Sequence, residues 1–150
     1  PRAKQCIEVF EKYGNPVISA IKVPRATVSR YGIVDVVKIE KNIWQILDII
    51  EKPSAELAPT NLAAHGCYVL TPEIFDHLES IKPGKNGEVW LVDAIKLLMK
   101  KHPVYACEIA DGRYFDTGNK LEYLKAVVEF ALMHKELSVD FRAYLKSLKL

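Results

Sequence analysis

Hydrophobic and polar positions change period several times along this chain, and each change marks an element. In residues 3 to 13, Ile7, Phe10 and Cys6 fall on one helical face and Gly14 follows as a stop, which predicts a helix. "PVISAIKV" (16 to 23) is rich in Val and Ile and reads as a strand ended by Pro24. "ATVSRYG" is a short irregular or single-turn piece that runs into Gly32. "IVDVVKI" and "IWQILDII" read as two strands joined by a polar turn around Glu40, Lys41 and Asn42. The second is apolar from Ile43 to Ile50 apart from Gln45 and Asp48, which predicts a mostly buried strand. "AAHGCYVL" (63 to 70) is the next strand, and Thr71-Pro72 pairs an N-cap with proline at the first helical position, predicting a helix to about Ser80.

After the loop "KPGKNG" (82 to 87), a longer helix runs to about Lys101, with Val92, Ile95 and Leu98 or Met99 facing inward. "VYACEI" (104 to 109) is a strand and "DG" (111 to 112) a tight turn. Asn119 can cap a helix through Met133, and a last helix covers roughly 140 to 148. Strands and helices alternate without repeats or low-complexity tracts, so the fold class is α/β, with helices packed on a mixed sheet.

Composition refines this reading mainly by exclusion. The 150 residues suit one domain, and 49% are hydrophobic, enough to fold. Twenty-one basic against 19 acidic residues, with no basic block, give no footprint for nucleic acid. No apolar stretch approaches the length that spans a bilayer, and no signal-peptide pattern opens the chain. Cys6, Cys67 and Cys107 are far apart in sequence and odd in number, which points away from a disulfide framework and toward a reducing, cytoplasmic setting. The chain opens at Pro1 without an initiator methionine and reads as a piece of something longer.

Ligands of open α/β sheets bind outside the carboxyl ends of the strands. Three stretches fall at such ends or at neighbouring turns: "RYG" (30 to 32), "EKP" (51 to 53) and "FDTG" (115 to 118). Glu51 offers two acceptor oxygens suited to vicinal hydroxyls, and Lys52 a point charge suited to phosphate. Adjacent strand residues point to opposite faces, so both can serve one ligand only where the strand twists or ends, and Pro53 makes an end plausible. Read alone, the tripeptide is an ordinary solvated strand exit. Asp116 is a hard oxygen donor of the kind Mg²⁺ takes, or an aspartate that hydrogen-bonds its own turn. Gly32 and Gly66 mark either a close backbone approach or a bulge. The four histidines lack metal-ligand spacing, and no Cys-x-x-Cys, G-x-S-x-G or Walker loop is present.

Taken in order, "SRYGIVD", "IIEKP", "APTNLAAHGCYVLTPEIFDHLE", "KPGKNGEVWLVDAI" and "RYFDTGNKLEYLKAVVEFAL" closely resemble the carboxyl-terminal half of bacterial UTP–glucose-1-phosphate uridylyltransferases, also called UDP-glucose pyrophosphorylases. The resemblance covers nearly the whole chain. It implies a nucleotide-diphospho-sugar transferase fold, a three-layer α/β/α sandwich that is incomplete here because the amino-terminal, nucleotide-binding half is absent. Residues 1–150 would then be the sugar-phosphate-side portion, with carboxyl-terminal helices from about 119 to 148.

The implied reaction joins UTP and glucose 1-phosphate to give UDP-glucose and pyrophosphate, with Mg²⁺. Glu51 would hold glucose hydroxyls and Lys52 the sugar phosphate. The backbone around Gly32 and Ala64 would line the sugar pocket, and Asp116 would bind the metal. The family's glycine-rich phosphate loop, with its Arg and Lys, and its second metal-binding Asp are not among these residues. The chain alone is therefore expected to be inactive. Missing first strands would also leave an unpaired sheet edge and bare apolar faces, and with them a tendency to aggregate. "GEVWLVDAI" stands where relatives usually read "GEIQLTDAI", so Trp90 and Val92 replace polar residues in a segment that faces the sugar pocket in relatives.

In the helix from Leu121 to Met133, Leu121, Leu124, Val128 and Leu132 form one apolar line, and Tyr123, Val127 and Phe130 form another. Two apolar sides imply two burials, within the domain and at a second surface. Relatives form homo-oligomers through these helices, while simple core packing in the complete protein is the other reading. A thymidylyltransferase acting on the same sugar phosphate shares the RYG, EKP and DTG landmarks. A non-catalytic sugar-phosphate-binding or oligomerisation module is the reading from another class.

Overall fold

The computed structural model describes residues 1–83, 87–110 and 114–148. They fall into two compact units, Pro1–Gly112 and Arg113–Leu150. In the first, helix α1 (Arg2–Tyr13) ends at Gly14, which takes a left-handed φ of 64° and donates its N–H to the Phe10 carbonyl at 2.7 Å. Strand β1 (Val17–Lys22), a 3-10 turn (Arg25–Arg30), β2 (Gly32–Glu40), β3 (Ile43–Glu51) and β4 (Leu62–Val69) follow. Helices α2 (Glu73–Ser80) and α3 (Leu91–Met99) and strand β5 (Val104–Glu108) complete the described part of this unit. The second unit holds α4 (Lys120–Met133) and α5 (Ser138–Ser147).

The class is α/β with a mixed sheet, because β1 and β5 are parallel and the other pairings antiparallel. An open sandwich is not what these residues form. The strands close in the order β1-β4-β2-β3-β5, and each has two partners. The cause lies in the β2–β3 hairpin. Register shifts between Asp35 and Val36 and between Lys38 and Glu40 bend it. Its Ile33 end therefore pairs with Ala63 of β4 while Ile43 to Ile46 pair with β5. Closure removes the unpaired edge expected of a truncated sheet.

One core takes residues from every strand: Ile18 and Ala20, Val34, Ile46 and Ile49, Leu62, and Val104 and Ala106. Ile74 of α2 and Ala94, Ile95 and Leu98 of α3 pack into it. The alternate residues of β1 and β5, Val17 and Cys107, lie instead with Cys6 and Val9 of α1. Both strands thus meet helices on two faces, which explains their nearly continuous apolar sequence.

Several expectations shift. Cys6 and Val9 are the buried face of α1, with Ile7 exposed. β3 buries only Ile46 and Ile49, because Leu47 falls at the bulge and is 53% exposed. Thr71 makes no side-chain bond to the backbone of α2; its hydroxyl lies 3.4 Å from Glu73 Oε2. α3 begins at Leu91, after Trp90, whose indole N–H donates to Glu88 at 3.1 Å, while Val92 packs on the core. The cysteines, distant in sequence, converge as free thiols. A hydrogen bond with Cys107, reinforced by burial, pushes the Cys6 thiol far up. Residues 111–112 of the expected tight turn lie outside the described residues.

In the second unit Asn119 caps α4 as expected, its Oδ1 accepting from the N–H groups of Leu121 at 3.0 Å and Glu122 at 3.2 Å. Of α4's residues only Ala126 is buried. Leu121 and Leu124 of one apolar line and Tyr123, Val127 and Phe130 of the other are exposed, while Val128 and Leu132 are half-buried.

Candidate functional site

β3 ends at Glu51, and the chain leaves it abruptly. Lys52 takes a left-handed φ of 47°, uncommon for a residue with a side chain, and Pro53 behind it is buried. This departure from extended geometry solves the problem posed by adjacent strand residues. The Lys52 Nζ comes within 3.5 Å of Glu51 Oε1, with both side chains substantially exposed. Such a pair adds little stability. What it offers is an ammonium and a carboxylate presented together to solvent.

Gly32 opens β2 directly opposite Glu51. A Cβ built on Gly32 would lie 3.1 Å from Glu51 Oε2 and 3.6 Å from Ile49 Cγ2. The carboxylate thus rests over the bare glycine, and any larger residue would displace it. This is a close approach and not a demand for positive φ. Gly66 is the opposite case, with φ of 35° and open space beside it, where the β1–β4 register shifts. Ile33 pairs with Ala63, which brings Ala64 to the strand next to Gly32. Gly32, Glu51, Lys52 and Ala64 therefore belong to one region of the Pro1–Gly112 unit. Tyr68 on β4 is near enough to feel it: burial, then the charge of Glu51, push its hydroxyl above the usual tyrosine range.

Asp116 belongs to the Arg113–Leu150 unit. It is exposed, its Oδ1 accepts the Gly118 N–H at 3.1 Å, and its carbonyl accepts the Asn119 N–H at 2.9 Å. A Cβ on Gly118 would lie 3.2 Å from that Oδ1, so the glycine keeps the turn tight. Asp116 is thus an aspartate hydrogen-bonding its own turn. It remains a hard carboxylate donor of a kind that Mg²⁺ accepts singly or in pairs, with waters and phosphate oxygens filling the rest. Among the described residues no group of three or more His, Cys, Asp or Glu is arranged to hold a metal.

The segment after Lys52 is fixed by a residue that sequence reading missed. Arg25 donates to the carbonyls of Ala55 at 3.0 Å, Ala58 at 2.6 Å and Thr60 at 3.0 Å. Nothing in "VPRATV" marks this arginine, since its partners are backbone atoms 30 or more positions away. Among the described residues no helix is long and apolar enough to cross a membrane.

Comparison with known proteins places this chain in a family. The family model described as nucleotidyl transferase matches residues 2–131. A UTP–glucose-1-phosphate uridylyltransferase of Staphylococcus epidermidis is 41% identical over 148 residues, 99% of this chain and 51% of the relative. A UTP-bound UGPase from Acinetobacter baumannii superposes with a TM-score of 0.84 at 35% identity, covering 97% of this chain and 50% of that one. A UDP-glucose pyrophosphorylase complexed with UDP-glucose gives 0.78 at 34% identity, over 87% and 49%. The chain spans about half the length of the curated relatives it matches. It belongs to the nucleotidyl transferase family.

Proposed function

We propose that this nucleotidyl transferase chain supplies the sugar-phosphate side of an enzyme that makes UDP-glucose and pyrophosphate from UTP and glucose 1-phosphate. The observation that carries the reading is the strand exit, where Lys52 and Glu51 stand 3.5 Å apart beside the side-chain-free Gly32. Glu51 accepts hydrogen bonds from glucose hydroxyls, the backbone around Gly32 and Ala64 lines the sugar, and Lys52 neutralises the phosphate monoester.

In the reaction an oxygen of the sugar phosphate attacks the α-phosphorus of UTP, the new O–P bond forms, and the bond to the β-phosphate oxygen breaks to release pyrophosphate. Two anions must meet, so positioning and charge neutralisation dominate. No general base is required, because the attacking oxygen is already deprotonated at neutral pH. Asp116 would hold Mg²⁺, which when bound would neutralise and orient the α-phosphate. Lys52 works on the other partner, lowering the repulsion at the attacking oxygen. The uridylyl reading is favoured over the thymidylyl one by the 41% identity to a uridylyltransferase.

The glycine-rich phosphate loop is not among the 150 residues, so we assign nucleotide binding to residues outside them and expect no turnover from the chain alone. The exposed apolar lines of α4 support a covered face in a homo-oligomer, and the free thiols support a reducing, cytoplasmic setting.

The test is an assay of the isolated chain for UDP-glucose formation, paired with calorimetry using glucose 1-phosphate. Absent turnover with measurable binding is the expected result. Lys52→Ala should weaken that binding by about 1.5–3 kcal/mol, the value of a hydrogen bond to a charged group. Robust turnover would overturn the inactivity, and an affinity indifferent to Lys52→Ala would overturn the role of Lys52.

A further inference from the structure

The 3-10 turn Arg25–Arg30 touches the segment after Lys52 at both ends. At its start, the Arg25 Nε, Nη1 and Nη2 donate to the carbonyls of Ala55, Thr60 and Ala58. Just past its end, the Tyr31 carbonyl accepts the Lys52 N–H at 3.0 Å, and the Tyr31 N–H is itself held by the Val28 carbonyl at 3.1 Å. Between the two attachments, buried Val28 and Ala58 belong to one apolar cluster, with Ala55 and Tyr31 packed against it. Residues 52 to 61 contain no strand or helix, so their carbonyls lack ladder partners and need others. Arginine suits the task, because its planar guanidinium presents five N–H donors in a fixed fork. Lys52 adds a second need. A side-chain-bearing residue at positive φ persists only where its surroundings hold it.

We infer that Arg25 is a positioning residue: its clamp on three carbonyls holds the segment from Lys52 to Thr60 so that the Lys52 ammonium stays beside Glu51, ready for the phosphate of a sugar monoester. The ligand in this statement rests on the function proposed above; the clamp rests on the hydrogen bonds alone. The fork is the agent, because it sends one N–H donor to each of three separate carbonyls. Lysine keeps the charge but cannot span three acceptors.

The experiment compares the chain with Arg25→Ala and Arg25→Lys by amide hydrogen exchange and by calorimetric titration with glucose 1-phosphate. In Arg25→Ala, the amides of Lys52, Leu57 and Ala58 should exchange roughly tenfold faster, while core-strand amides such as that of Ala106 stay unchanged. Sugar-phosphate affinity should fall about tenfold, and Arg25→Lys should restore neither property. Unchanged exchange at Lys52 in Arg25→Ala would overturn the inference, as would full recovery in Arg25→Lys. If the unmutated chain binds no sugar phosphate while Arg25→Ala still loosens Lys52, the functional reading fails and the clamp stands. If the chain binds and Arg25→Ala changes nothing, the clamp fails and the functional reading stands. Arg25→Gln, which keeps an amide donor, carries the comparison should Arg25→Ala not fold.

Discussion

Two carboxylates carry the candidate chemistry, and the molecule holds them in different ways. Glu51 is the last residue of a strand whose register is locked to Gly32, above a core drawn from all five strands. Its neighbour Lys52 is bonded through its N–H to Tyr31, and the loop beyond is clamped by Arg25. Asp116 sits in an exposed turn closed by Gly118 and Asn119, both within three positions of it. The first arrangement exists only in a folded sheet. The second is local chemistry that a short peptide can form for itself. In the function proposed above, a grip on a whole sugar phosphate would have to fix several groups at once and would draw on the folded sheet. A single carboxylate for a cation that brings its own waters would need only its own turn.

Removing the core beneath the strand exit should test this contrast most severely. Leu98 is fully buried against strands and α2, and Leu98→Ala is expected to cost about 2–5 kcal/mol through lost transfer energy and the cavity left behind. That is a large share of a typical domain's stability, so sugar-phosphate binding should vanish with the unfolding of the Pro1–Gly112 unit, followed by denaturant titration. Binding that survived the loss of this unit's structure would break the comparison, because the Glu51–Lys52 grip would then be local too.

A smaller effect is expected at the other carboxylate. Asn119→Ala removes the two hydrogen bonds that cap α4 and should destabilise that helix by about 0.5–2 kcal/mol. Circular dichroism should register the lost helicity, with the unfolding midpoint of the first unit unchanged. A shift of both transitions together would blur the distinction.

The smallest effect concerns charge on the sheet. Asp48 pairs with Asp35 in the β2–β3 register, and Lys96 lies 2.9 Å from its carboxylate. The Lys96 bond first, and the Ile49 N–H after it, hold the Asp48 carboxyl below its usual range. A carboxyl lowered by folding adds stability above about pH 4 and loses it as pH falls through the lowered value. Because both side chains are well exposed, the contribution should be only about 0.2–1 kcal/mol. Urea midpoints of the protein and Asp48→Asn should differ near pH 5 and converge at lower pH; parallel curves would remove the assignment.

Local rules made most of the elements legible. Gly14, Asn119 and the polar turn before Ile43 act through neighbours in sequence, and periodicity reports which residues prefer one face. The same rules picked out Asp116 as an aspartate able to hydrogen-bond its own turn, whose geometry is local. They also marked "EKP" as a strand exit, because Pro53 stops a strand wherever it lies. What they left open was decided in three dimensions. Ile7 looks as buried as Cys6 until β1 and β5 choose which face α1 covers. The cysteines look remote until a helix and two strands bring them together. The sheet looks open-edged until two register shifts bend one hairpin. Arg25 has no visible partner until a loop 30 residues away folds back to it. Sequence thus determined the dihedral preferences, the spacing of apolar side chains and the chemical groups at each turn, because those depend on bonds and near neighbours. Only the tertiary structure set which groups meet across the chain, because those contacts form when distant segments bury a common core and leave their backbone carbonyls in need of donors.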